Sequence, residues 1–310
     1  MLLRDTGRQI GRRAGRVLSK VARRLDPPAP VAKTTWVAPG HFYSPLPKWE
    51  ELAPRSDALF DQSPPSLLDV DLAPETQRGF LAAFEPYRAD RLYRGEDARD
   101  VRYHSSNNMF GQKSANALHL MLRVLRPRRI VEVGSGFSSA VMLDTREHFD
   151  ADYDLTFVEP YPDRLRGLLR ASDSCAIVEK PLELAPRAPF EALEDGDVLF
   201  VDSSHVIKTG NDLCALFFEI LPALAAGVYV HFHDVLYPFE YPLRWVEEGR
   251  AWNEAYVLRA FLANNAVWSL QFWASYLYRC HRDWIDAVPE VSADGSSIWI
   301  RKAGGASSPH

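Results

Sequence analysis

The stretch that decides the fold runs from Arg129 to Phe137 and reads RIVEVGSGF. Its apolar run of Ile130, Val131 and Val133 predicts a buried parallel strand, with Glu132 near the carboxyl end. Gly134 and Gly136 predict a tight turn into a helix over 138–144, because glycine accepts positive φ and lets other groups approach its backbone. A strand, a glycine turn and a helix start together offer free N–H groups to a nucleotide-like ligand.

The spacing of the glycines favours one class of ligand over another. Ser139 stands where a dinucleotide-binding G-x-G-x-x-G has its third glycine, which weakens the case for a diphosphate ligand. Glu-x-Gly-x-Gly after a strand resembles the first motif of class I S-adenosylmethionine-dependent methyltransferases. That resemblance implies that Glu132, Gly134, Ser135 and Gly136 bind the methionine and ribose portions of the cofactor.

A second strand, Leu155–Val158, ends at another acid, Glu159. This acid lies 23 residues after Gly136, close to the roughly 20 residues expected for a carboxylate that accepts hydrogen bonds from both ribose hydroxyls. Glu159 is therefore a candidate cofactor ligand. The alternative is an acid at a helix start, where the helix dipole stabilises it.

Further strands alternate with helices, which predicts an α/β fold with a doubly wound, mostly parallel sheet. The resemblance implies a Rossmann-like methyltransferase sheet of seven strands over residues 80–303, with the seventh strand antiparallel. The remaining predicted strands are 175–178, 197–202, 228–232, 269–276 and 297–301. The predicted helices include 75–97, 114–125, 212–224 and 252–265.

Two polar clusters follow the fourth and fifth strands. Asp202 and His205 leave the fourth, and His231, His233 and Asp234 close the fifth. Neighbouring strands lie about 4.8 Å apart, so the clusters should face one cleft. Methylation of a hydroxyl requires alignment of the reactants and removal of a proton, a task for a histidine near its ordinary pKa.

We therefore predict His205, His233 and Asp234 as catalytic residues and Asp202 as a cofactor-side residue. The alternative is that these side chains only cap helices and bond within the cleft. A metal is a second hypothesis, with Asp202, His233 and Asp234 as ligands. Catechol-type metal-dependent O-methyltransferases carry an Asp-Asn pair after the fifth strand, whereas Val235 follows Asp234 here, so no metal is assigned.

Candidate contacts around the cleft come from three other regions. The loop 103–111 supplies Asn107, Asn108 and Phe110, which either contact the cofactor or form a structural turn. Glu179 follows the third strand and is a candidate adenine neighbour. Aromatic residues after the fifth strand suit a sugar ring, a phenolic or a lipid-linked acceptor, or else pack in the core: Tyr237, Phe239, Tyr241, Trp245 and Trp252.

The regions before and after the domain have distinct compositions. Residues 1–24 hold eight basic residues and one acid, which predicts for residues 1–25 either a basic amphipathic helix on an anionic membrane or a solvated tail. Residues 26–79 are rich in proline and are predicted to wrap the domain, and 304–310 to be a disordered tail.

Bulk composition narrows the setting and the function. The net charge of −5 argues against a general nucleic-acid binder. Three widely spaced cysteines indicate a reducing compartment, and we expect a cytoplasmic protein with peripheral membrane contact through residues 1–25 as an option. The predicted function is S-adenosylmethionine-dependent O-methylation of a small molecule or glycan. The alternatives are a metal-dependent hydroxylase using two histidines and a carboxylate, and a non-enzymatic docking protein.

Overall fold

The structure is a computed structural model that describes residues 36–60, 66–90, 100–149, 151–293 and 295–304. The chain divides into two units, Met1–Pro54 and Arg55–His310. The predicted basic segment 1–25 and all but Gly304 of the predicted tail lie outside the described residues. The predicted boundaries of the wrapping segment and of the domain stay predictions.

The described part of the first unit is short. It contains helix α1 (Trp49–Leu52) and a preceding loop in which the exposed rings of Trp36 and Tyr43 stack with centroids 5.0 Å apart.

The second unit is built on a seven-stranded sheet. Its order is β3-β2-β1-β4-β5-β7-β6, and β7 runs antiparallel to both of its neighbours. This confirms the predicted mostly parallel sheet and its antiparallel seventh strand. The strands are β1 (Arg129–Val133), β2 (Asp154–Val158), β3 (Ala176–Val178), β4 (Val198–Val201), β5 (Tyr229–Phe232), β6 (Trp268–Trp273) and β7 (Ile298–Lys302).

Helices precede, connect and follow these strands. Three 3₁₀ turns occur at Ala53–Arg55, Glu85–Tyr87 and Leu182–Leu184, and a π turn at Leu216–Ile220. The α-helices are α2 (Ser56–Leu59), α3 (Pro74–Phe84), α4 (Gln112–Leu125), α5 (Phe137–His148), α6 (Asp163–Leu168), α7 (Ala188–Glu191), α8 (Asp212–Ala215), α9 (Leu221–Ala223), α10 (Leu243–Glu247), α11 (Glu254–Leu262), α12 (Ala274–Cys280) and α13 (Arg282–Asp286). None of the helices in the described ranges is long and apolar enough to cross a membrane.

The central strands are apolar because both sheet faces are covered. All four residues of β4 are buried, and Met121 of α4 and Val141 of α5 lie in the same core. A strand buried on both faces reads as a continuous apolar run rather than an alternating one. That is why β1 and β4 could be located from sequence.

Several predicted elements have different bounds in the structure. The helix predicted over 75–97 ends at Phe84, since Pro86 follows and cannot donate a helical hydrogen bond, and positions 91–97 lie outside the described residues. The strand predicted over 269–276 ends at Trp273, and a helix begins at the next residue. The helix predicted over 212–224 is interrupted by the π turn, with Pro222 in its last segment.

Candidate active site

The carboxyl ends of three neighbouring strands open into one cleft. Val133, Val201 and Phe232 are level in the sheet register, so the residues that follow them meet at the same edge. The cleft has a volume of about 690 Å³. It is lined by the segment Gly134–Gly136, called the glycine loop below, and by the ends of β4 and β5. The loop before α4 and the segment before α11 complete the lining.

A second cavity adjoins this cleft at the glycine loop. Its volume is about 420 Å³, and it lies beside Pro160, Tyr161, Leu182 and Glu183. Gly134, Glu159 and Asp202 line both cavities, so they form the shared wall. The site thus has room on either side of the loop.

Gly134 is the position where a side chain is excluded. Its φ is +80°, and a Cβ built there would overlap the carbonyl oxygen of Asp202. The backbone N–H of Gly134 donates to Val158 O at 3.1 Å. The loop is therefore held between β2 and β4, with no space for any residue larger than glycine.

Glu132 supports the loop from beneath. It is fully buried, and its carboxyl oxygens accept hydrogen bonds from the hydroxyls of Ser138 and Ser139 at the start of α5. Ser139 Oγ also accepts from the Gly136 N–H at 2.9 Å. Burial raises the pKa of Glu132 to about 8, against the opposing effect of the two hydroxyls. Glu132 lines neither cavity, so the structure places this predicted ligand one layer behind the cleft.

Glu159 joins the loop to the entry of the next helix. One carboxylate oxygen accepts from the Ser135 N–H at 3.0 Å, and the other from the Tyr161 N–H at 2.8 Å. Each carboxylate oxygen has two acceptor sites, so both remain able to accept from a ligand hydroxyl.

Arg164 is a cleft residue that the sequence analysis missed. A Cβ built on Gly136 would lie 3.4 Å from Arg164 Cδ, so the side chain runs across the loop. Among the described residues Arg164 has no ion-pair partner. It supplies a positive charge beside the glycines.

His205 lies between carboxylates. Its Nδ1 is 2.8 Å from Glu254 Oε2, and its Nε2 is 3.4 Å from Asp202 Oδ1 and 3.8 Å from Asp234 Oδ2. Burial lowers the pKa of His205, but the hydrogen bonds to Asp202 and Glu254 outweigh it and raise the pKa to about 10. Burial raises the pKa of Asp202, but the nearby His233 and the hydrogen bond from His205 outweigh that effect and lower the pKa.

The raised pKa of His205 determines whether this residue can accept a proton. At neutral pH it is an imidazolium with both nitrogens protonated, so it has no lone pair with which to accept a proton. This argues against His205 as the general base.

His233 is the second histidine at the cleft. Its Nε2 is 3.6 Å from Asp234 Oδ1, and its ring lies 4.9 Å from that of Phe110. Its Nδ1 is buried and has no hydrogen-bond partner within the described ranges. His231, by contrast, is stacked on Phe200 inside the sheet, where burial lowers its pKa well below the ordinary value.

The predicted metal ligands do not form a metal site. Asp202 and Asp234 both face the Nε2 atom of His205, at 3.4 and 3.8 Å. Across the part of the chain that the structure describes, no three acidic, histidine or cysteine side chains are arranged to hold a metal ion. The residues present therefore do not fit the catechol-type metal site considered from the sequence.

The loop before α4 is fixed to the back of the domain. The buried guanidinium of Arg102 bonds to Asp144 at 2.9 Å, and Asp144 also accepts the Arg102 and Tyr103 N–H groups. Asn108 and Phe110 consequently line the cleft. Asn107 instead bonds within the loop, accepting from the Phe110 N–H at 2.7 Å.

Glu179 lines neither cavity. It forms a surface ion pair with Arg166 at 2.5 Å. No contact of Glu179 in the described ranges supports the predicted adenine contact.

The aromatic residues after β5 divide into two groups. Tyr237 and Phe239 are buried and pack against Trp273. These two residues therefore follow the alternative interpretation, in which the aromatic side chains pack in the core. Trp245 and Trp252 line the cleft, and the Trp252 ring lies 4.3 Å from that of His205.

Comparisons with known proteins agree with this arrangement. Residues 131–235 match a family model described as a methyltransferase domain. An uncharacterized protein of Archaeoglobus fulgidus is 32% identical over 162 residues, covering 51% of this chain and 73% of the relative.

Two solved structures are similar at lower identity. The methyltransferase PaMTH1 of Podospora anserina, bound to SAH, is 18% identical, with a TM-score of 0.41 over 83% of this chain and 97% of its own. The O-methyltransferase TomG of Streptomyces achromogenes, in complex with SAM, is 13% identical, with a TM-score of 0.37 over 83% and 98%.

The matched domain contains the glycine loop, Glu159, and the ends of β4 and β5. With the seven-stranded sheet and its antiparallel last strand, it shows that the chain belongs to the class I S-adenosylmethionine-dependent methyltransferase family. The protein is a methyltransferase, and its cofactor is S-adenosylmethionine.

Proposed function

We propose that this enzyme methylates a hydroxyl oxygen of a small-molecule or glycan acceptor, with His233 as the general base. The observation that supports the proposal best is that the site consists of two adjoining cavities with different lining residues. The glycine loop and Glu159 border both cavities, while His233 and Asp234 lie only in the larger one.

The chain offers matching groups for two polar parts of the cofactor. The carboxylate of Glu159 suits the ribose hydroxyls, and the guanidinium of Arg164 suits the amino-acid carboxylate. Glu132 and Ser139 act indirectly, by holding the loop.

The cofactor supplies a methyl group on a positively charged sulfur. The acceptor oxygen forms a bond to that carbon as the carbon–sulfur bond breaks, and the hydroxyl proton passes to His233. The Asp234 carboxylate beside Nε2 stabilises the resulting imidazolium. His205, already protonated, is a positioning residue that holds Asp202 and Asp234.

The test is formation of S-adenosylhomocysteine from S-adenosylmethionine with a panel of hydroxylated aromatics and sugars. His233→Gln should lower kcat by ~10²–10⁴-fold without weakening S-adenosylhomocysteine binding. His148→Gln, at the end of α5, is the control and should match the wild type. Unchanged kcat in His233→Gln would overturn the assignment of the base.

A further inference from the structure

The segment from Tyr241 to Trp252 forms a wall of the cleft that combines cationic and aromatic side chains. It supplies Arg244, Trp245, Arg250 and Trp252. The two indole rings lie 5.1 Å apart at 70° to each other.

Arg250 packs against both indoles. Its guanidinium carbon lies 4.6 Å from the Trp245 ring centroid and 4.8 Å from that of Trp252. Its Nε and Nη2 face Glu248 Oε2 at 2.9 and 2.8 Å. No contact within the described ranges uses the Nη1 donors. A planar guanidinium fixed in this way is arranged in advance for an oxyanion, because little side-chain entropy remains to be lost.

The charged side chains of this wall that line the cleft are both arginines, Arg244 and Arg250, whereas Glu247 and Glu248 of the same segment are not among the lining residues. Arg244 Nε bonds to the other oxygen of Glu248 at 2.8 Å, so two guanidinium groups share that carboxylate. The nearby carboxylates Asp202 and Asp234 face His205 instead. An anion at Arg250 therefore meets guanidinium groups on the cleft side of this wall.

Trp252 connects this site to the reacting groups. The centroid of the Trp252 ring lies 4.8 Å from the guanidinium carbon of Arg250 and 4.3 Å from the ring of His205. Arg250 and the catalytic end of the cleft thus both contact the same indole. A single hydroxylated ring can span that separation while contacting the aromatic side chains that line the cleft.

We propose that the acceptor is a hydroxylated ring compound that carries a carboxylate or phosphate, and that Arg250 binds this anionic group. The proposal names the substrate class of the O-methyltransferase function proposed above and rests on it. The rings of Trp245 and Trp252 favour a ring compound, and the guanidinium of Arg250 favours a negatively charged substituent.

The test compares two probes of nearly equal shape, 3,4-dihydroxybenzoate and 3,4-dihydroxybenzamide. Their affinities for the protein saturated with S-adenosylhomocysteine are measured by calorimetry, with glucuronate and glucose as the matched sugar pair. The anionic member of one pair should bind ~10-fold more tightly than its neutral partner. Arg250→Gln should reduce that ratio to below about 2-fold, and Arg250→Lys should keep part of it, since the charge remains without the planar fork.

Arg282→Gln is the matched control, since this arginine pairs with Asp286 and lies outside the cleft. It should keep the wild-type ratio. Equal affinities within both pairs, or a ratio unchanged in Arg250→Gln, would overturn the proposal, as would no binding of either anion while S-adenosylhomocysteine binds. Failure of S-adenosylhomocysteine itself to bind would instead contradict the proposed function.

Discussion

His205 and Glu254 form a buried ion pair between residues 49 positions apart, with Nδ1 and Oε2 at 2.8 Å. The His205 carbonyl oxygen also accepts the N–H groups of Asn253 and Glu254. The pair thus fastens the end of β4 to the start of α11, and it holds a cation against Asp202 and Asp234.

The ion pair makes stability depend on pH. Because folding raises the pKa of His205 from 6.5 to about 10, the folded protein binds this proton more tightly than the unfolded chain. The stabilisation is complete below pH 6.5 and is lost as the pH rises through 10. His205→Gln should therefore be destabilised by about 3 kcal/mol near pH 6.

The difference in free energy of unfolding between wild type and His205→Gln should shrink steadily toward pH 10. Denaturant unfolding at several pH values measures it. A difference that stays constant from pH 6 to 10 would show that His205 is not held as a cation.

Gly134 offers a test of the loop geometry. Gly134→Ala should unfold more readily and lose cofactor binding, because the new methyl group meets the Asp202 carbonyl and the backbone has positive φ. Gly79→Ala is the control. It lies in α3 with open space around it, and the same change there should stabilise the protein by about 0.5–1 kcal/mol. Equal thermal shifts in the two variants would contradict this account of the loop.

Glu132 acts through hydrogen bonding more than through charge. Its pKa of about 8 leaves it largely protonated at pH 7, so Glu132→Gln should keep most of the S-adenosylhomocysteine affinity. Glu132→Ala leaves the Ser138 and Ser139 hydroxyls without their partner and should weaken binding and stability together. Loss of binding in Glu132→Gln at full stability would mean that a carboxylate is required at this position.

The sheet and its binding edge could be predicted because their signals are local. Buried strands read as apolar runs, and Gly134 and Glu159 follow such runs directly. Ser139 stands in place of the third glycine of the dinucleotide-binding pattern, and its role is also local. Its hydroxyl accepts a hydrogen bond from the Gly136 N–H and donates one to Glu132.

The charges and walls of the site could not be predicted in this way. The pKa of His205 is raised because its two ring nitrogens bond to Glu254 and Asp202. Arg250 is fixed because its guanidinium packs against two indoles and bonds to Glu248. Such contacts depend on how loops return to the sheet edge, and no periodicity of the sequence records that.

The most direct test of the cofactor site is to measure cofactor binding with and without the Glu159 carboxylate. Calorimetry should show that S-adenosylmethionine and S-adenosylhomocysteine bind the wild type, and that Glu159→Ala binds them ~10–100-fold more weakly. Glu179→Ala, which removes an acid outside both cavities, should bind as the wild type does. Absence of binding by the folded wild type, or equal affinity in Glu159→Ala, would contradict the cofactor site described here.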